Sequence, residues 1–190
     1  MTGVQTCALP ISKKKPGEIN YGTFGAGSTG HLNMELFQIV SGTKLTAVHY
    51  RGATPAMTDV VGGHIQMMYV SVGTALPQAR DRKVKLIAIG SSKRMEALPD
   101  VPTVAENGLP GYQAVSWFGL FGPPGMPADT VAKINAEVRR MFSDPEIKKN
   151  VIERYYFESL AGTPQELSDR IKADEPKWRK IIEDAKVKPQ

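Results

Sequence analysis

A glycine-rich segment flanked by hydroxyl side chains is the part of this sequence best suited to chemistry. The stretch Asn20–Leu32 reads N-Y-G-T-F-G-A-G-S-T-G-H-L, with Ser28 and Thr29 beside the last glycines. A glycine-rich turn that opens a helix directs free backbone N–H groups and the positive end of the helix dipole at one point. Hydroxyl groups at the same place can donate further hydrogen bonds. This combination predicts the capture of an anion, either a phosphate or a carboxylate.

A second turn of the same kind follows further along the chain. Tyr50–Thr54 reads Y-R-G-A-T and again precedes a helical pattern. Helices that follow neighbouring parallel strands begin at the same edge of a sheet, where α/β proteins bind their ligands. Each turn alone is explained by helix capping, whereas the two together favour a small-anion site.

The glycines also permit a different interpretation. Gly25, Gly27 and Gly30 match the G-x-G-x-x-G pattern of dinucleotide-binding domains. Such a domain normally has an acidic residue after its second strand for the ribose hydroxyls, and Arg51 stands there instead. An NADP-binding oxidoreductase domain that uses the Gly25–Gly30 turn is therefore the alternative, although no acid/base pair for hydride transfer stands out.

Other kinds of site have little support. The three histidines, His31, His49 and His64, have no cysteine or carboxylate at metal-ligand spacing, so we predict no metal. We also predict no cofactor and no catalytic residue. The net charge of +5 comes from basic residues interleaved with acidic ones, which is typical of solvated helix faces rather than a nucleic-acid surface. No apolar stretch reaches the roughly 18 residues of a membrane-spanning helix.

Strand and helix patterns alternate through the first half of the chain, which predicts an α/β fold. The predicted strands are Ile19–Thr23, Leu45–Tyr50, Ile65–Val70 and Val84–Ile89. The last two are apolar except for Gln66 and Lys85, which we take as the pattern of strands buried on both faces of a parallel sheet.

Capping residues indicate where the helices of this half begin and end. Ser28 is predicted to cap a helix that ends at Gly42, with an apolar face made of Leu32, Leu36, Ile39 and Val40. Thr54 and Pro55 are predicted as the N-cap and first residue of the next helix, which Gly62-Gly63 ends.

The character of the sequence changes after residue 110. Gly111–Phe121 is predicted as a long aromatic strand, and a helix is predicted from about Pro127. Thr163 and Glu166 match a capping box for the last helix, which Pro176 should kink or split. One strand offers too little sheet to cover these helices, so we expect exposed apolar surface around residues 115–121 and on the C-terminal helices.

The first residues differ from the rest of the chain. Met1–Ser12 lacks charge and periodicity, contains the only cysteine, Cys7, and has no basic start like that of a signal peptide. We interpret residues 1–12 as a non-native, unstructured leader resembling translated sequencing adaptor, and expect the native protein to begin earlier.

Several motifs in register resemble the substrate-binding proteins of tripartite tricarboxylate transporters, the Bug-type receptors. Tyr50–Ala56 followed by Asp59–Gly63 resembles the family segment Y-K-G-x-x-P-A-L-x-D-L-x-G-G. Ala97–Glu106 followed by Gly108–Tyr112 is similar to the most recognisable family signature. The resemblance extends from Lys13 to about Lys186.

This resemblance implies a periplasmic-binding-protein-like (type II) α/β fold of two lobes that close on a ligand, with the first part of lobe 1 missing. Residues 13–110 would form lobe 2, and residues 111–190 would return to complete lobe 1. The implied function is the extracytoplasmic capture of a di- or tricarboxylate or a related organic acid, without catalysis. The implied partners are this carboxylate and the membrane components of a tripartite transporter, and the full-length receptor would be a periplasmic monomer that binds no nucleic acid.

The resemblance also implies which residues contact the ligand. The first turn matches the family pattern G-S-S-x-H, and the implied residues of the two turns are Gly27, Ser28, Thr29, His31, Tyr50, Gly52, Ala53 and Thr54. A third segment departs from the family, since Val70 and Ser71 stand where an aspartate and an asparagine are frequent. Ser71 is therefore included in the site, and the lost aspartate favours a plainer, less polar carboxylate.

Overall fold

The structure, a computed structural model, describes residues 12–188. The predicted leader, apart from Ser12, lies outside the described residues. Within them, the chain forms two compact units, one of residues 12–116 and 179–188 and the other of Trp117–Trp178. The assignment of residues 13–110 and 111–190 to two lobes of a receptor stays a prediction.

The larger unit alternates strands and helices as predicted. Its elements are β1 (Asn20–Thr23), α1 (Thr29–Ser41), β2 (Thr46–His49), α2 (Ala53–Val61), β3 (Met67–Met68) and α3 (Val72–Arg80). β1 lies between β2 and β3 and is parallel to both, with Tyr21 opposite Ala47 on one side and Met67 on the other. Each strand is followed by a turn and a helix, which is how a chain connects parallel strands. The α/β class is confirmed.

The core of this unit lies between the sheet and α1. Ile19, Tyr21, Met34 and Leu45 are buried together, and Phe37, Ala47, Met67 and Tyr69 pack against them. Apolar burial of this kind is the main favourable contribution to folding.

The buried face of α1 differs from the predicted one. Leu36 is buried, but Ile39 and Val40 are each 45% exposed. Ser41 faces inward in their place, because its hydroxyl bonds to Thr43 Oγ1 at 2.7 Å and so needs no water. Apolar periodicity alone does not predict that a polar side chain with a hydrogen-bond partner can occupy a core position.

Three predicted strands are shortened or absent. Ile65–Val70 pairs with the sheet only at Met67–Met68. Val84–Ile89 makes a single parallel bridge, between Ile89 and Thr103, and Ile87 is 46% exposed. The prediction of burial on both faces is wrong for this run, because no ladder of the described residues continues along it. Gly111–Phe121 is also not a strand. Its backbone bonds to the segment around Gly90 of the same chain, where the Ala114 N–H donates to the Gly90 carbonyl at 2.8 Å.

The family signature forms a closed loop in the larger unit. The Arg94 Nε donates to both carboxylate oxygens of Glu106 at 3.0 Å, and Arg94 Nη1 donates to the Pro99 carbonyl at 2.9 Å. Glu106 also accepts the Thr103 N–H at 2.7 Å, while its own N–H donates to Thr103 Oγ1 at 3.1 Å. These bonds give the spacing of Arg94, Thr103 and Glu106 a structural explanation within the loop itself.

The smaller unit consists mainly of helices. They are α4 (Ala128–Ser143), α5 (Pro145–Ile147), a π-helical segment (Lys148–Glu153) and α6 (Pro164–Asp184), which continues into the larger unit. The predicted capping box is confirmed, because the Thr163 N–H donates to Glu166 Oε2 at 2.6 Å and the Glu166 N–H donates to Thr163 Oγ1 at 3.2 Å. The predicted exposed apolar surface is confirmed as well, since Phe118 in the segment 115–121 is 84% exposed and Met141 on α4 is 45% exposed.

Pro176 does not split the last helix, since α6 is continuous through it. Proline removes one helical hydrogen bond, which frees the carbonyl four residues earlier. Pro176 and Lys172 are both exposed, so water can bind the freed carbonyl. Of the two predicted outcomes, a kink or a split, the split is excluded for that reason.

We expect Tyr69→Phe to lower the free energy of unfolding by about 1–3 kcal/mol, because it leaves a buried carbonyl without its donor. The Tyr69 hydroxyl donates to the Ala114 carbonyl at 2.5 Å, and Ala114 is 2% exposed. Urea unfolding measures the loss. Tyr155→Phe, at a residue 47% exposed, is the control and should change stability by less than about 0.5 kcal/mol. Equal losses in the two variants would contradict the role given to this hydrogen bond.

Candidate functional site

The turns that follow the three strands meet at one edge of the sheet. The strands are parallel, so their carboxyl ends at Thr23, His49 and Met68 lie on the same side. This edge is where open α/β sheets bind ligands. Every residue implied in ligand binding lies in one of these turns or in the first turn of the helix after it: Gly27, Ser28, Thr29, His31, Tyr50, Gly52, Ala53, Thr54 and Ser71.

Direct contacts hold the three turns together. The Tyr50 N–H donates to the Thr23 carbonyl at 3.0 Å, and Thr23 Oγ1 bonds to His49 Nδ1 at 2.8 Å. A methyl group added at Gly30 would lie 2.8 Å from the Tyr69 carbonyl, so the first turn of α1 packs directly against the turn after β3. The last glycine of the G-x-G-x-x-G pattern therefore serves this close approach.

The helix caps at the edge agree only in part with the predicted ones. Ser28 caps α1 as predicted, with its Oγ accepting the His31 N–H at 3.3 Å. α2 begins one residue before the predicted N-cap, so Gly52 is the N-cap, and Thr54 and Pro55 lie inside the helix. Pro55 is tolerated there because the first N–H groups of a helix have no helical acceptor in any case. No side chain caps α2 or α3.

The charge pattern at these helix starts is distinctive. The first turns of α1, α2 and α3 contain no acidic residue. By contrast, α4, α5 and α6 each have one there, namely Asp129, Glu146 and Glu166 respectively. An acidic side chain in the first turn offsets the positive end of the helix dipole. The three helices at the sheet edge therefore retain that partial positive charge, which suits an anion. This charge pattern is present in the sequence, although it was not among the features from which the site was predicted.

A buried polar network lies beneath the glycine turn. The Tyr21 hydroxyl donates to Glu35 Oε1 at 2.5 Å, and His31 Nε2 lies 3.5 Å from the same oxygen. The Gly27 N–H donates to His31 Nδ1 at 3.0 Å. Burial alone would raise the pKa of Glu35, but the hydrogen bonds from His31 and Tyr21 outweigh it and hold that pKa below its ordinary value. Sequence reasoning missed Glu35 and Tyr21, because their contact depends on the packing of α1 against β1.

The second turn is held by a pair of side chains whose spacing belongs to the family pattern. The Tyr50 hydroxyl donates to Asp59 Oδ2 at 2.6 Å, and Asp59 Oδ1 accepts from His64 Nδ1 at 3.2 Å. The Tyr50 hydroxyl therefore already donates its hydrogen bond to a side chain of the protein. The bond to Asp59 raises the pKa of Tyr50 to about 12, and the same bond lowers the pKa of Asp59.

We expect Asp59→Asn to bring the ionisation of Tyr50 back towards its ordinary pKa of 10.0, because a neutral amide stabilises the protonated phenol less than a carboxylate does. The stabilisation that the bond gives is complete below the ordinary pKa and is lost as the pH rises through about 12. An alkaline NMR titration of labelled tyrosine measures this, with Tyr50→Phe to assign the signal and Asp129→Asn as the control. An unchanged titration of Tyr50 in Asp59→Asn would contradict the assignment.

Two kinds of feature are not found in the described part of the chain. Within residues 12–188, no group of three or more histidine, cysteine, aspartate and glutamate side chains could hold a metal ion. Over the same residues, no helix has both the length and the apolar character needed to cross a membrane.

Comparison with known sequences identifies one family. Residues 6–187 match the family described as "Tripartite tricarboxylate transporter family receptor". A UPF0065 protein of Pseudomonas sp. strain P51, from the tcbD-tcbE intergenic region, is 32% identical over 178 residues, which cover 93% of this chain and 53% of that protein. The chain thus spans about half the length of this relative.

Solved structures with the same fold are similar over most of the chain. An R. palustris protein solved with adipate has a TM-score of 0.86 and 30% identity, covering 96% of this chain and 60% of that one. The periplasmic binding protein BugD has a TM-score of 0.84 and 28% identity, covering 96% and 61%. MatC from Rhodopseudomonas palustris with bound malate has a TM-score of 0.77 and 29% identity, covering 92% and 60%. The predicted periplasmic-binding-protein fold class is confirmed.

Proposed function

Because the chain belongs to the tripartite tricarboxylate transporter receptor family, we propose that it binds a small carboxylate at the sheet edge where α1, α2 and α3 begin. The observation that carries this proposal is the charge pattern of the three helix starts, none of which has an acidic residue in its first turn. A carboxylate placed there would interact favourably with all three helix dipoles.

Exposed hydroxyl side chains would complete the site. Thr29, Thr54 and Ser71 are exposed, and they lie at the start of α1, α2 and α3 respectively. Hydrogen bonds to a charged group contribute about 1.5–3 kcal/mol each. The hydroxyls would therefore add both affinity and orientation to the capture by backbone N–H groups.

Dicarboxylates are the substrate class that the similar proteins suggest, since two of them were solved with adipate and malate. Val70 and Ser71 follow β3 directly and so lie at the same edge. Without an aspartate there, the site would have less to offer a ligand hydroxyl. We therefore propose that this chain prefers adipate, which has no hydroxyl group, over malate, and that Val70→Asp shifts the preference towards malate.

NMR spectra of the labelled chain at neutral pH, titrated with adipate, test the proposal at the level of single amides. We expect adipate to shift the amide signals of residues 28–30, 53–54 and 72–73, and adipamide, its neutral analogue, to leave them in place. Thr54→Val and Ser71→Ala should each weaken adipate binding by about tenfold or more, whereas Ser92→Ala, at another exposed serine, should not. Shifts caused by NADP but not by adipate would instead support the dinucleotide alternative.

The same family supports a proposal for the cellular setting of this function. Its members are receptors rather than enzymes, and BugD is a periplasmic binding protein. We propose that the complete protein works in the periplasm, delivers its ligand to the membrane components of a tripartite transporter and performs no chemical step. Its state as a monomer stays a prediction, which sedimentation measurements would test.

A further inference from the structure

His31 lies beneath the glycine turn with both ring nitrogens engaged by the protein. Its side chain is buried, at 7% exposure of the residue. Nδ1 accepts the Gly27 N–H at 3.0 Å, and Nε2 lies 3.5 Å from Glu35 Oε1. These contacts differ from those expected of a side chain that bonds directly to a ligand.

The hydrogen bonds select one tautomer of the imidazole. A backbone N–H can only donate, so Nδ1 must be the unprotonated nitrogen and Nε2 must carry the proton. The Glu35 carboxylate faces Nε2 and favours this arrangement. Glu35 Oε1 is itself held by the Tyr21 hydroxyl at 2.5 Å and by Gln38 Nε2 at 2.8 Å.

The rings packed around His31 leave it little freedom to turn. The Tyr21 ring is stacked with it at 6.4 Å between centroids, and the His49 ring meets it edge-on at 4.9 Å. His49 is held in turn by Thr23 Oγ1 at 2.8 Å. Burial is the largest cause that lowers the pKa of His49, which favours a neutral neighbour beside His31. The titratable groups that face His31 are therefore Tyr21, Glu35 and His49.

We propose that His31 is a positioning residue of the anion site: its neutral, Nε2-protonated ring holds the Gly27 N–H and so fixes the turn that presents Ser28 and Thr29. Glu35 selects the tautomer, and Tyr21 holds Glu35. This role rests on the proposed function, since the shape of the turn matters for binding only if the edge captures an anion. It follows that the Gly27 N–H points at His31 and that the anion is bound by donors further along the turn.

Spectra of the ligand-free chain test the tautomer without reference to any function. Long-range nitrogen–proton NMR spectra of the His31 ring should show a protonated Nε2 and an unprotonated Nδ1. A scalar coupling across the hydrogen bond should connect Nδ1 to the Gly27 amide nitrogen. A ring protonated on Nδ1 at neutral pH would overturn the proposal, whether or not any carboxylate binds.

Two substitutions separate positioning from direct contact. An asparagine amide lies close to where Nδ1 was, and a glutamine amide lies close to where Nε2 was. His31→Asn should therefore keep the Gly27 amide protected from hydrogen exchange, and His31→Gln should expose it by about tenfold, the equivalent of one hydrogen bond. Adipate binding should follow the same order. Equal loss of adipate binding in both variants, with Gly27 still protected, would mean direct contact and would overturn the proposal.

Glu35→Gln tests the selection of the tautomer. A glutamine amide can donate to Nε2, so the Nδ1-protonated form should increase and the Gly27 amide should exchange about tenfold faster. Glu146→Gln, at an exposed glutamate, is the matched control and should change neither.

If the unsubstituted chain has the expected tautomer but no amide responds to adipate, the proposed function fails and the positioning of the turn stands. Should a variant not fold, the spectra of the unsubstituted chain still decide the matter.

Discussion

Gly90→Ala is expected to lower the free energy of unfolding of the larger unit by about 3 kcal/mol or more, the upper range for an added methyl group in a packed interior. An added Cβ would collide with the Tyr69 hydroxyl and lie 2.5 Å from the Ala114 carbonyl oxygen. Those two groups are hydrogen-bonded to each other. The Gly90 carbonyl also accepts the Ala114 N–H at 2.8 Å, so the backbone cannot retreat from the methyl group without breaking a second bond.

Urea unfolding followed by circular dichroism measures this effect, and Gly62→Ala is the matched control. Gly62 has an ordinary helical φ of −74°, and its added Cβ would meet mainly the exposed His64 ring at 3.3 Å, which can move. We expect the control to change stability by less than about 0.5 kcal/mol. Adding Tyr69→Phe to Gly90→Ala should recover part of the loss by removing the nearest obstacle. A Gly90→Ala chain as stable as the control would show that the segment is not packed as described.

Gly30→Ala is expected to destabilise the chain by about 1–3 kcal/mol and to abolish the response of the α1 turn to adipate. In most helices alanine is more stable than glycine by about 1 kcal/mol, so the expected sign is opposite to helix propensity. The cause is the close approach at the sheet edge, where the added Cβ would lie 2.6 Å from Phe24 Cε1 and 2.8 Å from the Tyr69 carbonyl oxygen. Phe24 can rotate, but a backbone carbonyl cannot.

Urea unfolding and the adipate titration are both measured on Gly30→Ala, and Gly62→Ala is again the control. If α1 shifts to accommodate the methyl group, the helix start moves away from the other two, and the amides of residues 28–30 should no longer respond to adipate. Gain of stability in Gly30→Ala would contradict the packing of α1 against the turn after β3. Loss of stability with an unchanged adipate response would separate the packing of this glycine from the proposed binding site.

Most local capping signals in the sequence were reliable, and the exception is the N-cap predicted at Thr54, since α2 begins one residue earlier. Ser28 and the pair Thr163 and Glu166 were predicted as caps and act as caps. Gly42 was predicted to end α1 and does so in the left-handed conformation, at φ 64°. Each of these features depends on contacts between residues a few positions apart, which the sequence spacing alone defines.

Predictions that needed a distant partner were less reliable. Val84–Ile89 has the composition of a buried strand, but it pairs at one residue. The aromatic segment from residue 111 has the composition of a strand and forms none. An apolar run becomes a strand only where a neighbouring strand supplies hydrogen bonds along its length, and composition does not say whether that neighbour is present.

The sequence by itself determined the class of fold and the family. It also contained the parts of the proposed site, which are three strand-turn-helix segments, rich in glycine and hydroxyl side chains, whose helix starts have no acidic residue. Tertiary structure decided where these segments lie relative to one another and which buried side chains they bring into contact. The order β2–β1–β3 brings the three turns to one edge, and packing of α1 on β1 places Glu35 against Tyr21 and His31. Caps and turns are governed by interactions between near neighbours in the chain, whereas strand order and buried polar contacts arise between residues that only folding brings together.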